Sequence, residues 1–497
     1  MLLKNTLINI KVKRSFLALT FIFSCSFSFA QFSGNNLLEI QYGKLPSDTV
    51  NAFATLYDRV VADYRYKRFK GGITLEQYYT PYGERNYFSV QQARLEYRSK
   101  SWQVNVGNFY ETLGRGILLR SYQIQGAILE DLSFRSRHYF HRDILGANVQ
   151  FRNKKFFVKA LYGKPLNNVF PTNQSFDNRR PDNIGALYLD YNLKGQTLGG
   201  GLMHLSNEFD NDLFGMLTVS GSPSNVISYH AEFSTDIYRF STENNEQDSR
   251  YAAYLNLNLS YDKVGISAEY KYYENFLLGA GFNEPPALVK EHIYRVLNRS
   301  THVMQPQNEQ GYQVEAFFQI GDESMLTLNN ALAINNFGKR FVFQEYFAEY
   351  ATVLNKKHDL QLFIDYAEDP FKSEESRISL GAYAEWKVKK QSGVKTELEF
   401  QTFQRDDERI TNVATFFGYS YKSKFSAGVI TEFSNDSFIV DTNNKLWVGF
   451  NGKYKLNNKN TLILFAGQRR GGPACNSGVC YEVLDFEGVE MRLTSRF

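Results

Sequence analysis

The chain has 497 residues, a formal charge of +4, 16% aromatic residues and 22% charged residues. Its mean hydropathy is negative. Past residue 30 no apolar run reaches the roughly 18 residues of a membrane-spanning helix, which excludes a helical membrane bundle. Eleven prolines and no low-complexity tracts exclude collagen-like and disordered classes. A secreted all-β protein and a transmembrane β-barrel remain.

Residues 1–30 read as a secretory signal. Lys4, Lys11, Lys13 and Arg14 form the basic region, Ser15 to Phe27 the apolar region, and Ser28, Phe29 and Ala30 a small-x-small cleavage site. Lipoprotein processing at Cys25 is the rival reading, and the bulk of Phe23 disfavours it. Removing four basic and no acidic residues leaves 31–497 formally neutral. The basic balance of the whole chain therefore does not point to nucleic acid.

From about Leu37 onward the polarity alternates with period two, as strands between unlike media require. Val264, Ile266, Ala268, Tyr270 and Tyr272 oppose Ser267, Glu269 and Lys271. Tyr312, Val314, Ala316, Phe318 and Ile320 oppose Gln313, Glu315 and Gln319. Leu360, Leu362, Ile364 and Tyr366 repeat the pattern, as do Ile378, Leu380, Ala382, Ala384, Trp386 and Val388. Runs of about nine to eleven residues suffice to cross a bilayer when tilted. The inward parity carries Arg94, Glu96, Glu269, Lys271, Glu315, Glu385, Lys387, Glu397 and Glu399. The aromatic content suits lipid-facing and interfacial positions.

Eleven short polar turns fall near Lys67, Lys100, Asn153, Lys194, Ser222, Asp262, Asp322, Asn355, Gln391, Lys422 and Asn457. Longer segments lie between them, notably 111–142, 164–182, 236–248, 274–310 and 467–482. Short turns at one end and longer loops at the other make the outer-membrane barrel pattern. With both termini at the short-turn end, eleven such turns give about 24 strands, within a range of 20 to 24. The expected fold is thus all-β, a single transmembrane antiparallel β-barrel over 31–497. Strands start too early for an N-terminal plug domain, so a standard TonB-dependent receptor is not expected.

Two loops are too apolar for solvated tips. The first combines Gly107, Gly114 and Gly116 with Glu111, Arg115 and Arg120, then Arg135, Arg137, His138, His141 and Arg142. Its Ile117, Leu118 and Leu119 need burial, so it is expected to fold inward. It reads as a constriction or ligand contact, or as a salt-bridged latch. In the second, Asn283 could cap a helix beginning at Pro285 or Pro286. Val289, Ile293, Val296 and Leu297 recur at helical spacing. The expectation is a short amphipathic helix over about 285–298, acting as a lumen plug or gate or as a packing element. Glu291, His292, Arg295 and Arg299 are the candidate gate residues here, with Glu111, Arg115 and Arg120 in the first loop. His292 and His302 read as hydrogen-bonded loop residues rather than metal ligands.

Cys475 and Cys480 could close a small disulfide loop, and their spacing without a nearby His does not suit a metal. Glu208, Asp210 and Asp212 lack the Gly and distal Glu of a calcium loop. No zinc-protease motif or serine elbow is present, so no catalytic residue, metal or cofactor is assigned. The last strand presents Val489, Met491, Leu493, Ser495 and Phe497 on one face. It resembles the C-terminal signature of bacterial outer-membrane barrels, which implies recognition of Phe497 by the barrel-assembly machinery.

The segments 106–122 and 283–302 resemble an uncharacterised Bacteroidota outer-membrane family, a domain of unknown function. The resemblance implies a barrel in contact with outer-membrane lipids and carries over no activity. Three functions are open: a channel or gated transporter for small solutes, a non-enzymatic scaffold subunit of an envelope assembly or secretion machine, and a barrel enzyme.

Overall fold

The computed structural model describes residues 31–44, 52–130, 137–166, 182–208, 211–237, 250–279, 282–283, 289–436, 446–476 and 479–497. The expected signal over 1–30 lies outside them, as do Arg135 of the first loop and Asp210 of the acidic cluster. One antiparallel sheet of 24 strands dominates. It begins at Phe32–Lys44 and ends at Phe486–Arg496. These two strands pair with each other, from Asn35 opposite Arg496 to Lys44 opposite Glu487. Each neighbour in the sheet is also a neighbour in sequence once the loop hairpins are set aside. The sheet is therefore a closed barrel without edges, the arrangement that satisfies every strand's backbone groups in lipid.

All eleven expected turns fall on connections of two to five residues at one end. Several are tight turns whose central residues need positive φ. Lys67 (φ 52°), Lys194 (φ 43°), Asp262 (φ 48°) and Lys422 (φ 54°) meet that need. The opposite end is less uniform than the sequence suggested. It carries the long segments 110–143 and 275–308, yet Gly338 alone joins two strands there and Asp406-Asp407 joins two more.

Exposure runs opposite to that of a soluble protein. On strand His358–Asp369, Leu362 (41%), Ile364 (57%) and Tyr366 (40%) face out, while Phe363, Asp365, Ala367 and Asp369 are buried inside. The outward aromatics gather near strand ends. Tyr64, Tyr66, Phe69, Trp102, Phe156, Tyr261, Trp386, Tyr421, Phe425 and Tyr454 are exposed beside short turns. Tyr42, Tyr79, Phe88, Tyr162 and Tyr366 are exposed toward the other end. Leu187, Leu202, Leu217, Leu255, Leu398 and Val429 are exposed between. Two aromatic girdles around an aliphatic band are the outer surface of a transmembrane barrel.

The terminal residue seals the seam. The N–H of Phe497 donates to the Gly34 carbonyl at 3.0 Å, and Gly34 N–H donates to the Phe497 carbonyl at 2.9 Å. The Phe497 ring stacks on Phe32 at 5.8 Å. A Cβ on Gly34 would sit 2.5 Å from that ring, so glycine is what lets the ring lie there.

Candidate functional site in the barrel lumen

Among the described residues three loops enter the lumen from the long-loop end; the first two are bound to inward-facing wall residues and the third to the second. The first contains two hairpins, Thr112–Leu113 with Leu119–Arg120 and Tyr122–Glu130 with Arg137–Arg142. Leu113, Ile117, Leu118 and Leu119 are at most 1% exposed and pack with wall residues such as Leu161, Ile184, Met203, Phe214, Met216 and Tyr273. This lumen region is an apolar core and not a water-filled channel. At about 1.5–3 kcal/mol per fully buried aliphatic side chain, the four side chains give the loop a strong reason to stay inside.

Polar groups fix its register. Glu111 accepts hydrogen bonds from Gln150 at 2.7 Å, from Asn148, and from the Lys159 ammonium at 2.6 Å. Arg115 is exposed, and its backbone N–H donates to Glu232 at 2.6 Å. Gly114 adopts φ 56°, and a Cβ there would meet the Glu232 carboxylate at 2.3 Å. Arg120 lies 5.5 Å from the Tyr122 ring. Arg137 is buried and pairs with Glu39 at 2.7 Å, which also holds Arg492 at 2.5 Å across the barrel seam. Burial and the nearby His141 push His138 down to about 3.

The second loop departs from the expected helix. Only Arg295–Arg299 is helical. Residues 289–294 carry no helix, and 284–288 lie outside the described residues. The reason is that successive side chains dock into separate wall pockets. Val289 packs with Ala331, Ala333 and Phe343. The ring of His292 lies 4.5 Å from that of Phe347. Tyr294 stacks on Phe363 at 3.9 Å and donates to Glu349 at 2.6 Å. Ile293, assigned to the apolar helix face by its spacing, is 73% exposed. The first turn expected after Asn283 lies outside the described residues, and the Asn283 side chain is engaged by other partners. Its amide donates to the Phe276 carbonyl at 2.7 Å and to the Ile117 carbonyl at 3.4 Å, tying the two loops together.

The short helix is held by wall carboxylates. Val296 N–H donates to Glu399 at 2.8 Å. Arg295 pairs with Glu397 at 2.8 Å, and Arg299 pairs with Glu432. Glu291 is exposed. His292 contacts Glu345 at 3.3 Å. His302 lies 3.5 Å from Glu309 and 3.4 Å from Asp369. Burial alone would push His302 down, but hydrogen bonds and charge from these two carboxylates hold it above its ordinary value.

Arg377 is the cation at the centre of this mouth. It is fully buried and donates to Glu374 at 2.9 Å, Glu345 at 3.1 Å, Asp365 at 3.3 Å and the Ser300 carbonyl at 3.0 Å. His292, Glu345 and Asp365 bring ligand atoms within 4.8 Å of one another. The guanidinium supplies positive charge to both carboxylates, so the trio is part of an ion-pair network, while His292 Nδ1 and Asp365 Oδ1 have no hydrogen-bond partner among the described residues.

The third loop forms the hairpin Gly472–Asn476 with Val479–Val483. Cys475 is disulfide-bonded, and Cys480 lies opposite it in the hairpin register. Asn298 of the short helix exchanges two hydrogen bonds with the Cys475 backbone, at 2.8 and 2.9 Å. Thus the second and third loops act as one body.

Sequence reasoning missed Glu39, Glu345, Asp365, Glu432 and Arg377. All sit on inward parity near the long-loop end of their strands. Charge at that parity was visible, but which charges meet depends on barrel closure.

The fold defines the class: this is an integral β-barrel of the outer-membrane type. A family of unknown function, DUF6029, matches residues 332–497. Segments 106–122 and 283–302, which carry the resemblance read from sequence, lie outside that match. No curated protein matches the chain. Among solved structures it is similar to the E. coli P pilus tip assembly intermediate PapC-PapD-PapK-PapG, with TM-score 0.55, 10% identity, and coverage of 94% of this chain and 60% of that one. It is also similar to the P pilus usher PapC translocation pore (TM-score 0.49, 9% identity, 94% and 99% coverage). A third similar structure is the siderophore receptor PirA from Pseudomonas aeruginosa (TM-score 0.41, 7% identity, 94% and 80% coverage). At such identities the likeness concerns the fold alone.

Proposed function

We propose that this protein is a non-enzymatic, loop-gated channel or transporter for small solutes in the outer membrane of a Gram-negative bacterium. Residues 1–30 would be removed on export, and the assembly machinery would read the strand ending in Phe497. The Bacteroidota lineage rests on the sequence resemblance. The observation that carries the functional reading is how the second loop is attached. It is held in the mouth by the ion pairs Arg295–Glu397 and Arg299–Glu432 and by the hydrogen bond from the wall residue Arg377 to the Ser300 carbonyl. Arg295 and Arg299 keep 23% and 17% of their side-chain surface exposed and can exchange partners, with Tyr294, Val296 and Leu297 as this loop's apolar anchors, whereas the first loop is committed to a larger apolar core. One loop thus serves as a fixed constriction and the other as a movable one.

The second reading is an accessory subunit of an envelope assembly. The apolar lumen core favours it, because a wide barrel filled by its own loops has little room for flux. One similar structure is, by its own description, a P pilus tip assembly intermediate of PapC, PapD, PapK and PapG, and membership of a multi-protein assembly is an analogy of fold for this chain.

Planar-bilayer recording separates the two. Wild type should show rare, small openings. Arg295→Gln with Arg299→Gln, or removal of residues 284–300, should raise open time and conductance. Absence of conductance in all three proteins would overturn the channel reading. Mild-detergent purification with partners from native membranes would then favour the subunit.

A further inference from the structure

Beside the short helix, the mouth contains a cavity of about 370 Å³. That is the low end of the about 300–1,000 Å³ typical of small-molecule sites. It is open toward the long-loop end, where the turn bearing Phe371, Lys372 and Ser373 and the third-loop residue Pro473 line it. Four cations line it, Arg299, Lys372, Arg405 and Arg470, with two carboxylates, Glu374 and Asp436.

The charges do not cancel locally. Arg405 pairs with Asp436 at 2.7 Å, Arg299 with Glu432, and Glu374 with Arg377 at 2.9 Å. Lys372 and Arg470 remain. Among the described residues neither has a carboxylate at ion-pair distance. Lys372 donates to the carbonyls of Thr301 at 2.7 Å and Arg299 at 3.1 Å. Arg470 is 4% exposed, donates to Asn412 at 3.1 Å and lies over the Trp447 ring at 5.7 Å. Its Nε has no hydrogen-bond partner among the described residues. The carboxyl group of Asp485 is engaged instead by Gly471 N–H at 2.5 Å.

A buried guanidinium with an unused donor is costly unless an anion completes it. We propose that this cavity binds the carboxylate or phosphate group of a small soluble anion, with Arg470 and Lys372 as its two charged contacts. Burial and the neighbouring Arg299 charge push Arg470 down to about 10, and burial lowers Lys372 as well. In both, burial outweighs the carboxylates nearby, Glu432, Asp436 and Asp485 for Arg470 and Glu374 and Asp369 for Lys372, and a bound anion would reverse the shift. Arg470 offers a planar fork suited to a carboxylate or phosphate edge, and Lys372 a point charge. The site does not rest on the channel reading, since a scaffold barrel could bind an effector there equally.

The test is calorimetric titration of the detergent-purified barrel with inorganic phosphate and, separately, with acetate, at fixed ionic strength and pH 7. Saturable binding of at least one anion is expected. Arg470→Gln should weaken it about ten- to hundredfold, the loss of one charge-assisted hydrogen bond. Lys372→Gln should weaken it less, and Lys194→Gln in a distant short turn should not change it. Circular dichroism and heat-modifiable gel migration would certify that each variant is folded. Phosphate binding with no acetate binding would assign a phosphate ligand, and the reverse a carboxylate. No saturable binding of either anion, or equal affinity in folded Arg470→Gln, would overturn the proposal.

Discussion

Arg377 shows at the scale of one residue why a charged interior can be stable. Its guanidinium meets Glu345, Asp365 and Glu374 while fully buried. Removing one partner of such a network leaves buried charges unmatched, at a cost of about 3–5 kcal/mol. Arg377→Leu is therefore expected to lower the midpoint of urea unfolding well below that of wild type. An unchanged midpoint would mean that water already reaches these carboxylates. The candidate gate residues Arg295 and Arg299 were visible in the sequence as cations in an odd loop. Their partners Glu397 and Glu432 were not paired with them, because 102 and 133 residues separate each pair. Lys372 and Arg470 carried no sequence signal at all. Each became notable only through what fails to surround it.

Two histidines give the loops opposite responses to pH, an effect at the scale of the element. His302 is held above its ordinary value by Glu309 and Asp369, against the opposing effect of burial. Its contribution is complete below the unfolded value of about 6.5. It disappears as pH rises through the raised folded value. His138, near 3 in the folded state, resists protonation in its hairpin. The unfolded chain binds that proton more readily between about pH 3 and about 6.5, so stability falls with acidification there. His302→Gln should flatten the alkaline side of a melting-temperature profile, and His138→Gln the acid side. Identical profiles in wild type and His302→Gln would remove His302 as an anchor. The disulfide at Cys475 acts on the same body of loops. A bond to Cys480 would close a loop of a few residues and stabilise by roughly 2 kcal/mol. A 475–480 linked peptide in the non-reduced digest is the expected mass-spectrometric finding. The helix lesson belongs here as well. Spacing at 289, 293, 296 and 297 suggested one amphipathic helix, but wall pockets for Val289, His292 and Tyr294 drew that stretch out to meet them. Tertiary contacts outweighed a weak local preference.

For the whole molecule, the inverted exposure pattern is the decisive property. Leu362, Ile364 and Tyr366 are outside while Asp365 and Asp369 are within, which only a lipid solvent makes favourable. Orientation follows from the unequal ends, with the long loops expected at the cell surface. A cysteine introduced at Gly338 or Asp406 should react with a membrane-impermeant maleimide on intact cells. One at Lys194 or Asp262 should react only after the outer membrane is opened. The reverse result would invert the barrel and place the anion cavity on the periplasmic side.

The sequence alone determined the barrel. A period of two is set by the pleat of each strand, and turn positions by local backbone preference, so both survive in one dimension. Eleven turns placed correctly made the strand number follow from topology. The lumen was decided by tertiary structure. Whether a loop enters, extends or coils depends on side chains contributed by strands a hundred residues away, which meet only when Phe486–Arg496 closes against Phe32–Lys44. The inward turn of Ile117 to Leu119 was legible in their apolarity, but the wall they pack on was not; the Arg377 network and the unmatched cations of the mouth exist because the barrel is closed, and no local pattern encodes them.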